Sequence, residues 1–334
     1  MAHHVTLIPG DGIGTEITAA TLHVLEATGV DFDWDRVEVG EVSLAAGGEV
    51  LPEAVFDSIR RTGVALKGPV GTPIGSGHRS VNVTIRRKLD LYACLRPVKN
   101  IPGIETPFDG VDLAIVRENT EGLYSGIEHM VTEDVAESLK IITRKGSTRI
   151  ARFAFEHAQK RGIGKVTAVH KANIMKISDG LFLECVRKVR EEFPGVDYEE
   201  MIVDNCAMQL VRWPRQFGVL VMNNLYGDIL SDLTAGLVGG LGVSPGANIG
   251  ADQAVFEPIH GTAPDIAGKG WANPTAMLLS AALLLEHLGE DDAASRLRSS
   301  LERVLGAREV RTRDLGGEAS TMEFAEAVAK AIKQ

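Results

Sequence analysis

Apolar and polar positions alternate along this chain in two rhythms. "HVTLIPG" is a short apolar run of the kind that predicts a strand, and "TEITAATLHVLEATG" repeats its apolar residues at helical spacing up to a terminal glycine. The couple returns as "DWDRVEVG" (strand), "PEAVFDSIRRTG" (helix) and "VALKGPV" (strand). It returns again as "KVTAVHK" before "SDGLFLECVRKVREEF", as "DYEEMIVDN" before "CAMQLVRWP", and as the strand "GVLVM". Alternation of this kind predicts an α/β fold in two halves, with helices on the faces of a sheet. Residues 117–146 break the rhythm with short alternating apolar positions and predict a β-rich excursion. After residue 240 come Gly/Pro-punctuated loops, then helices from 274 onward, with no internal repeat.

One helix carries unusual chemistry. In "NNLYGDILSDL", which follows the apolar strand, Asp228 and Asp232 fall on one helical face and Leu230, Leu233 and Leu237 on another. Around the two carboxylates lie Ser231, Ala235 and Gly239, small residues without a cation among them. Two readings follow. The carboxylates face water in a first turn that favours negative charge, or they hold a hard divalent cation, Mg²⁺ or Mn²⁺, at the strand's carboxyl edge.

Composition narrows the classes. At 334 residues, 44% hydrophobic, the chain is long enough for two domains. A net charge of −10 without a basic block argues against a nucleic-acid partner, and no apolar run is long enough for a membrane span. Three scattered cysteines, Cys94, Cys185 and Cys206, suggest neither a disulfide framework nor a zinc site. With a strand entered at once and no signal or transit segment read ahead of it, the expectation is a cytoplasmic protein.

Anionic small molecules then need a local basic pocket. "SVNVTIRRKLDLYACLRP" gathers Ser80, Asn82, Arg86 and Arg96. Singly, Ser80 reads as a helix N-cap and Arg86 as a solvated surface arginine. With Arg117 after "VDLAIV", the three arginines read as clamps on a polycarboxylate. In "PGDGIGTE" the glycines fall at 10, 12 and 14, outside the GxGxxG spacing, and fit a tight turn as well as a phosphate cradle.

Together "IPGDGIG", "SVNVTIRRKLDLYACLRP", "RENTEGLYSGIEH", "HKANIMKISDGLF", "NNLYGDILSDL" and "HGTAPDIAGKGWANP" resemble the isocitrate/isopropylmalate dehydrogenases, in the family's order and over essentially the whole chain. The likeness is strongest to members that oxidise isocitrate with NAD⁺. It implies a two-domain α/β fold with a mixed sheet, outside the Rossmann pattern. Residues 1–95 and 240–334 would form a large cofactor-binding domain, and 96–239 a small dimerisation domain with a β-rich clasp at about 123–146. It also implies metal-dependent oxidation and decarboxylation of isocitrate. Ser80, Asn82, Arg86, Arg96 and Arg117 would bind the substrate carboxylates. Tyr124 and Lys171 would act as acid and base, and Asp204, Asp228 and Asp232 would hold Mg²⁺ or Mn²⁺. In this family Lys171 and Asp204 would come from the partner of a homodimer.

For the cofactor, the resemblance implies Thr72, His260, Gly261, Thr262, Ala263, Asp265, Ile266 and Asn273. It implies NAD⁺ over NADP⁺, because Asp265 and Ile266 stand where NADP-dependent relatives carry Lys and Tyr. The segment between Tyr124 and Lys171 is shorter than in well-known bacterial NADP-dependent members, which leaves the form of the clasp open. Homoisocitrate and 3-isopropylmalate are the competing substrates. A non-catalytic regulatory subunit is an alternative of another class, although the acid, base and metal residues are all present. A metal-dependent hydrolase or phosphatase would leave "GTAPDIAG" and the arginines unexplained.

Overall fold

A computed structural model describes residues 2–71 and 80–334. Strands β1 (His3–Ile8), β2 (Phe32–Arg36), β3 (Val64–Lys67), β4 (Ala93–Lys99), β5 (Asp112–Glu118), β8 (Lys165–His170), β9 (Asp197–Ile202), β10 (Val219–Met222), β11 (Pro245–Ile249) and β12 (Ala254–Pro258) form one mixed sheet. Its order is β2-β1-β3-β12-β11-β4-β5-β10-β8-β9. At one end β2, β1, β3 and β12 run parallel; at the other β5, β10, β8 and β9 do. The antiparallel strands β11 and β4 join the two blocks. The alternating units expected from sequence thus share one continuous sheet.

Three cores cover it. On one face, helices α1 (Gly14–Thr28), α5 (Arg144–Arg161), α6 (Ser178–Arg190), α9 (Thr275–His287), α10 (Asp291–Ala307) and α11 (Thr321–Ile332) contribute to a single large cluster. Leu95, Val116, Ala247 and Phe256 supply its floor from the four central strands. Period-2 alternation puts their neighbours on the opposite face. There the apolar cover divides. Ile8, Phe56, Ile85 and Val255 pack with α3 (Glu53–Thr62) and α4 (Val81–Lys88). Ile115, Leu220 and Met222 pack with α7 (Val203–Arg212) and α8 (Asn224–Leu237). Between these clusters the central strands present Cys94, Arg96, Arg117, Asn248 and Glu257, so the sheet has a polar strip where its two small cores part.

Several elements differ from the sequence reading. The strand read through "DWDRVEVG" ends at Arg36, and Gly40–Ala45 is a short helix, α2, entered at Gly40 with φ +72°. The strand read through "VALKGPV" stops at Lys67, because the next residues cross against the turn after β1. The excursion contains one β-hairpin, β6 (Glu128–Thr132) and β7 (Val135–Ser138), exposed throughout.

Candidate active site

The polar strip is the floor of a cleft of about 100 Å³, lined among others by Asn82, Arg86, Arg96, Asn248, Glu257 and His260. Arg86 is no solvated surface arginine. It stands on α4 with its side chain 13% exposed and donates through Nη2 to Glu257 Oε1 at 2.9 Å, while buried Lys67 holds Oε2 of the same carboxylate. Burial raises the Glu257 carboxyl, but Lys67 and Arg86 overcome that and hold it far below the usual carboxylate range. Lys67, Glu257 and Asn248, which donates to Glu257 at 2.8 Å, were not singled out from sequence. A charged residue inside an otherwise apolar strand, as in "VALK" and "AVFEP", was the available signal.

Ser80 is the N-cap of α4, its Oγ accepting from the Val83 amide, and Asn82 follows in the first turn. Among the described residues, the Asn82 Oδ1, Arg86 Nε and His260 Nε2 atoms are buried without a hydrogen-bond partner. Three orphaned polar atoms on one cleft indicate a polar ligand there.

The second group centres on α8. Asp228 accepts hydrogen bonds from Arg117 Nη1 and Tyr124 Oη and lies 3.8 Å from Arg96 Nη2. Asp232 lies 3.3 Å from Arg96 Nη1. The positive charge missing from the helix therefore comes from β4 and β5. The small-residue face is not open either, since Ser231 and Ala235 are buried and Arg96 donates to Ser231 Oγ. Arg117, 1% exposed, is fully turned to α8, with Nε and Nη2 donating to Asn224 Oδ1 at 3.0 and 2.7 Å. It does not line the small cleft, unlike Arg86 and Arg96. Gly227 makes this contact possible: a Cβ there would sit 2.4 Å from Arg117 Cγ.

Charge fixes the protonation of this group. Burial raises the Asp228 carboxyl, but Arg117, the Tyr124 hydroxyl and Arg96 outweigh it and leave it below the usual range. Burial and the neighbouring Asp228 push the Tyr124 phenol up, so it stays a proton donor.

Lys171 and Asp204 form a pair of their own. Lys171 Nζ donates to Asp204 Oδ1, and this hydrogen bond holds the largely exposed carboxylate below its ordinary range. Among the described residues no three His, Cys, Asp or Glu side chains converge as metal ligands. Within one chain Asp228 and Asp232 remain a pair, a donor set of hard oxygens that is open to solvent at Asp232 and one carboxylate short of the expected three. Exposed apolar residues flank Lys171 and Asp204: Ile174 and Ile177 on the following loop, Met208 and Val211 on the α7 face that carries Asp204.

Beside the small cleft is a larger cavity of about 780 Å³ whose lining includes His260, Gly261, Ala263, Ile266, Trp271 and Asn273. His260 and Gly261 line both. Asp265 is exposed inside the 3₁₀ turn Pro264–Ile266 and does not cap it, and Ala263 before it has φ +40°. Thr262 acts through its main chain, its carbonyl accepting from Ile13 N at 2.9 Å. Asp11 N donates to Pro69 O at 2.7 Å, so the glycine turn uses its amides to lock three loops together. A Cβ at Gly12, φ +56°, would lie 2.1 Å from the Thr262 carbonyl oxygen, which makes "GDGIG" a crossing point. Thr72 lies outside the described residues.

Comparison with known proteins follows the same lines. The isocitrate/isopropylmalate dehydrogenase family profile matches residues 4–328. An Arabidopsis thaliana protein named isocitrate dehydrogenase [NAD] catalytic subunit 5, mitochondrial, is 51% identical over 97% of this chain and 87% of its own. The human isocitrate dehydrogenase [NAD] subunit alpha, mitochondrial, is 48% identical over 98% and 90%. The crystal structure of isocitrate dehydrogenase from Methylococcus capsulatus superposes with a TM-score of 0.96 at 50% identity, covering 99% of this chain and 100% of that one.

Proposed function

The chain belongs to the isocitrate/isopropylmalate dehydrogenase family, and from that premise we propose that it oxidises isocitrate with NAD⁺ and releases CO₂ to give 2-oxoglutarate. The carrying observation is the cleft itself, where Arg86 and Arg96 stand over orphaned donors and acceptors beside the Asp228–Asp232 pair. Two guanidiniums lining one small cleft suit a polycarboxylate. Ser80 and Asn82 at the start of α4 offer its further carboxylate a polar, N-terminal corner. An isopropyl group there would leave those groups unpaired, at roughly 1 to 3 kcal/mol each, so isocitrate is favoured over 3-isopropylmalate. Homoisocitrate differs by one methylene and is separated less sharply.

Asp228 and Asp232, with Asp204 of the partner subunit, would hold Mg²⁺ or Mn²⁺. A divalent ion there supplies charge that acidifies the substrate hydroxyl and draws in the electrons left when CO₂ departs. Lys171 of the partner subunit takes the proton from the substrate's hydroxyl oxygen as hydride leaves the carbon that bears it for NAD⁺, and the Tyr124 phenol returns a proton to carbon after decarboxylation. The loop His260–Asn273 binds the cofactor along the larger cavity. The homodimer is supported by the exposed apolar residues around Lys171 and Asp204. Residues 1–95 and 240–334 would form the cofactor-binding domain and 96–239 the dimerisation domain, the division cutting β4 just after Ala93–Leu95, the three residues that pair with β11. A cytoplasmic setting belongs to the same proposal.

The direct test is an assay of isocitrate-dependent NADH formation together with CO₂ release. One CO₂ per NADH, lost in EDTA and restored by Mn²⁺, is expected. Undiminished turnover in excess EDTA, or NADH without CO₂, overturns the proposal.

A further inference from the structure

Asp179, near the start of α6, is a carboxylate without solvent exposure. Sequence reading passed it over, and no step above uses it. Four donors meet it from three segments of chain. Lys171 N donates to Oδ2 at 2.7 Å, Tyr226 Oη to Oδ2 at 3.1 Å, Asn223 Nδ2 to Oδ1 at 3.3 Å, and Lys140 Nζ to Oδ1. Lys140 follows the exposed hairpin and also faces the ring of Tyr226, 4.6 Å from its centroid. Asn223 and Tyr226 open the helix that carries Asp228. The loop from Lys171 to Ile177 carries, besides the base, two of the most exposed apolar side chains, Ile174 and Ile177, at 69% and 89%.

A buried carboxylate is retained at a cost unless its hydrogen bonds do something that packing cannot. Here one of them is made to the backbone amide of Lys171 itself, at the point where the chain leaves β8 and turns toward α6. We propose that Asp179 is the positioning residue of the general base: it fixes the main chain of Lys171 relative to the first turn of α8, so that Nζ is presented at a set distance to the site it serves. This rests on the reading of Lys171 as the base. Because that reading has Lys171 acting in the partner's site, Asp179 also ties the geometry of one site to the metal helix of the other.

The charge pair and the amide acceptor can be separated by experiment. Asp179→Asn with Lys140→Met removes the buried ion pair together but keeps an oxygen for the Lys171 amide. Asp179→Leu with Lys140→Met keeps similar volume and has no acceptor. Both are compared with Lys171→Met in the intact, metal-loaded protein, with circular dichroism and thermal unfolding as folding controls. The acceptor-bearing variant is expected to stay within about threefold of wild-type kcat, and the leucine variant to fall at least about 30-fold, with KM for isocitrate and NAD⁺ within about twofold in both. Equal kcat values in two folded double variants would overturn the inference. A leucine variant that does not fold is replaced by Asp179→Ala with Lys140→Met, under the same two outcomes. Should Lys171→Met keep wild-type activity, the reading of the base fails instead, and the two failures are told apart.

Discussion

Gly227 shows how closely the site is built. It sits inside α8, where an alanine would ordinarily add about 1 kcal/mol of helix propensity. Its missing Cβ is what lets Arg117 lie under Asn224 and Asp228. Gly227→Ala is therefore expected to lower kcat/KM for isocitrate at least about 100-fold, by moving Arg117 and Asp228 apart, while the melting temperature changes by only a few degrees; steady-state kinetics beside calorimetry check this. Glu257 gives a pH prediction. Its folded-state carboxyl is depressed by Lys67 and Arg86 against the opposing effect of burial. Its contribution is thus present above the ordinary carboxyl value, about 4.3, and is lost as pH falls below that. Glu257→Gln leaves two buried cations unpaired and is expected to cost roughly 3 to 5 kcal/mol at neutral pH. The urea midpoints of variant and wild type should converge as pH is lowered from 7 toward 3. A difference that is constant over this range would contradict the assignment.

At the scale of elements, sequence pattern went far where burial follows period. The strands "HVTLI" and "GVLVM", and the helices after 274, stand where apolar rhythm placed them, because a strand covered on both faces or a helix with a buried apolar face leaves that imprint. The short α2 and the early end of β3 were not legible, since both depend on a distant loop crossing their path. The same holds in the site. Arg86, Arg96 and Arg117 drew notice as a cluster of guanidiniums, but their partners Glu257, Ser231 and Asn224 come from distant segments that only the folded sheet brings together. The cofactor loop yields a prediction of its own. Asp265 is exposed within its turn, next to a cavity floored by Trp271 and Ile266. A carboxylate there accepts from ribose hydroxyls and repels a 2′-phosphate. The kcat/KM for NAD⁺ should exceed that for NADP⁺ by at least about 100-fold, and Asp265→Lys should shrink the ratio. Equal use of both cofactors by wild type would contradict this.

For the whole molecule, the separation of the two functional groups within one chain is the informative feature. Asp228 accepts a hydrogen bond from Tyr124 and shares Arg96 with Asp232, whereas Lys171 and Asp204 pair with each other and are flanked by exposed apolar side chains. A shared-site homodimer has a clear signature. Mixing Lys171→Met with Tyr124→Phe subunits, each inactive alone, should recover up to roughly a quarter of wild-type activity after full exchange, because half the dimers are mixed and one of their two sites is intact. No recovery after verified exchange would place each site within a single chain. Substrate choice is the claim on which the rest depends, because the arginines, the polar corner of α4 and the paired carboxylates are all read as a fit to isocitrate. The measurement that tests it most directly is kcat/KM of the wild-type protein, with NAD⁺ and Mn²⁺ fixed, for isocitrate, homoisocitrate and 3-isopropylmalate. Isocitrate is expected first and 3-isopropylmalate last, by at least about 100-fold. A preference for 3-isopropylmalate would contradict it.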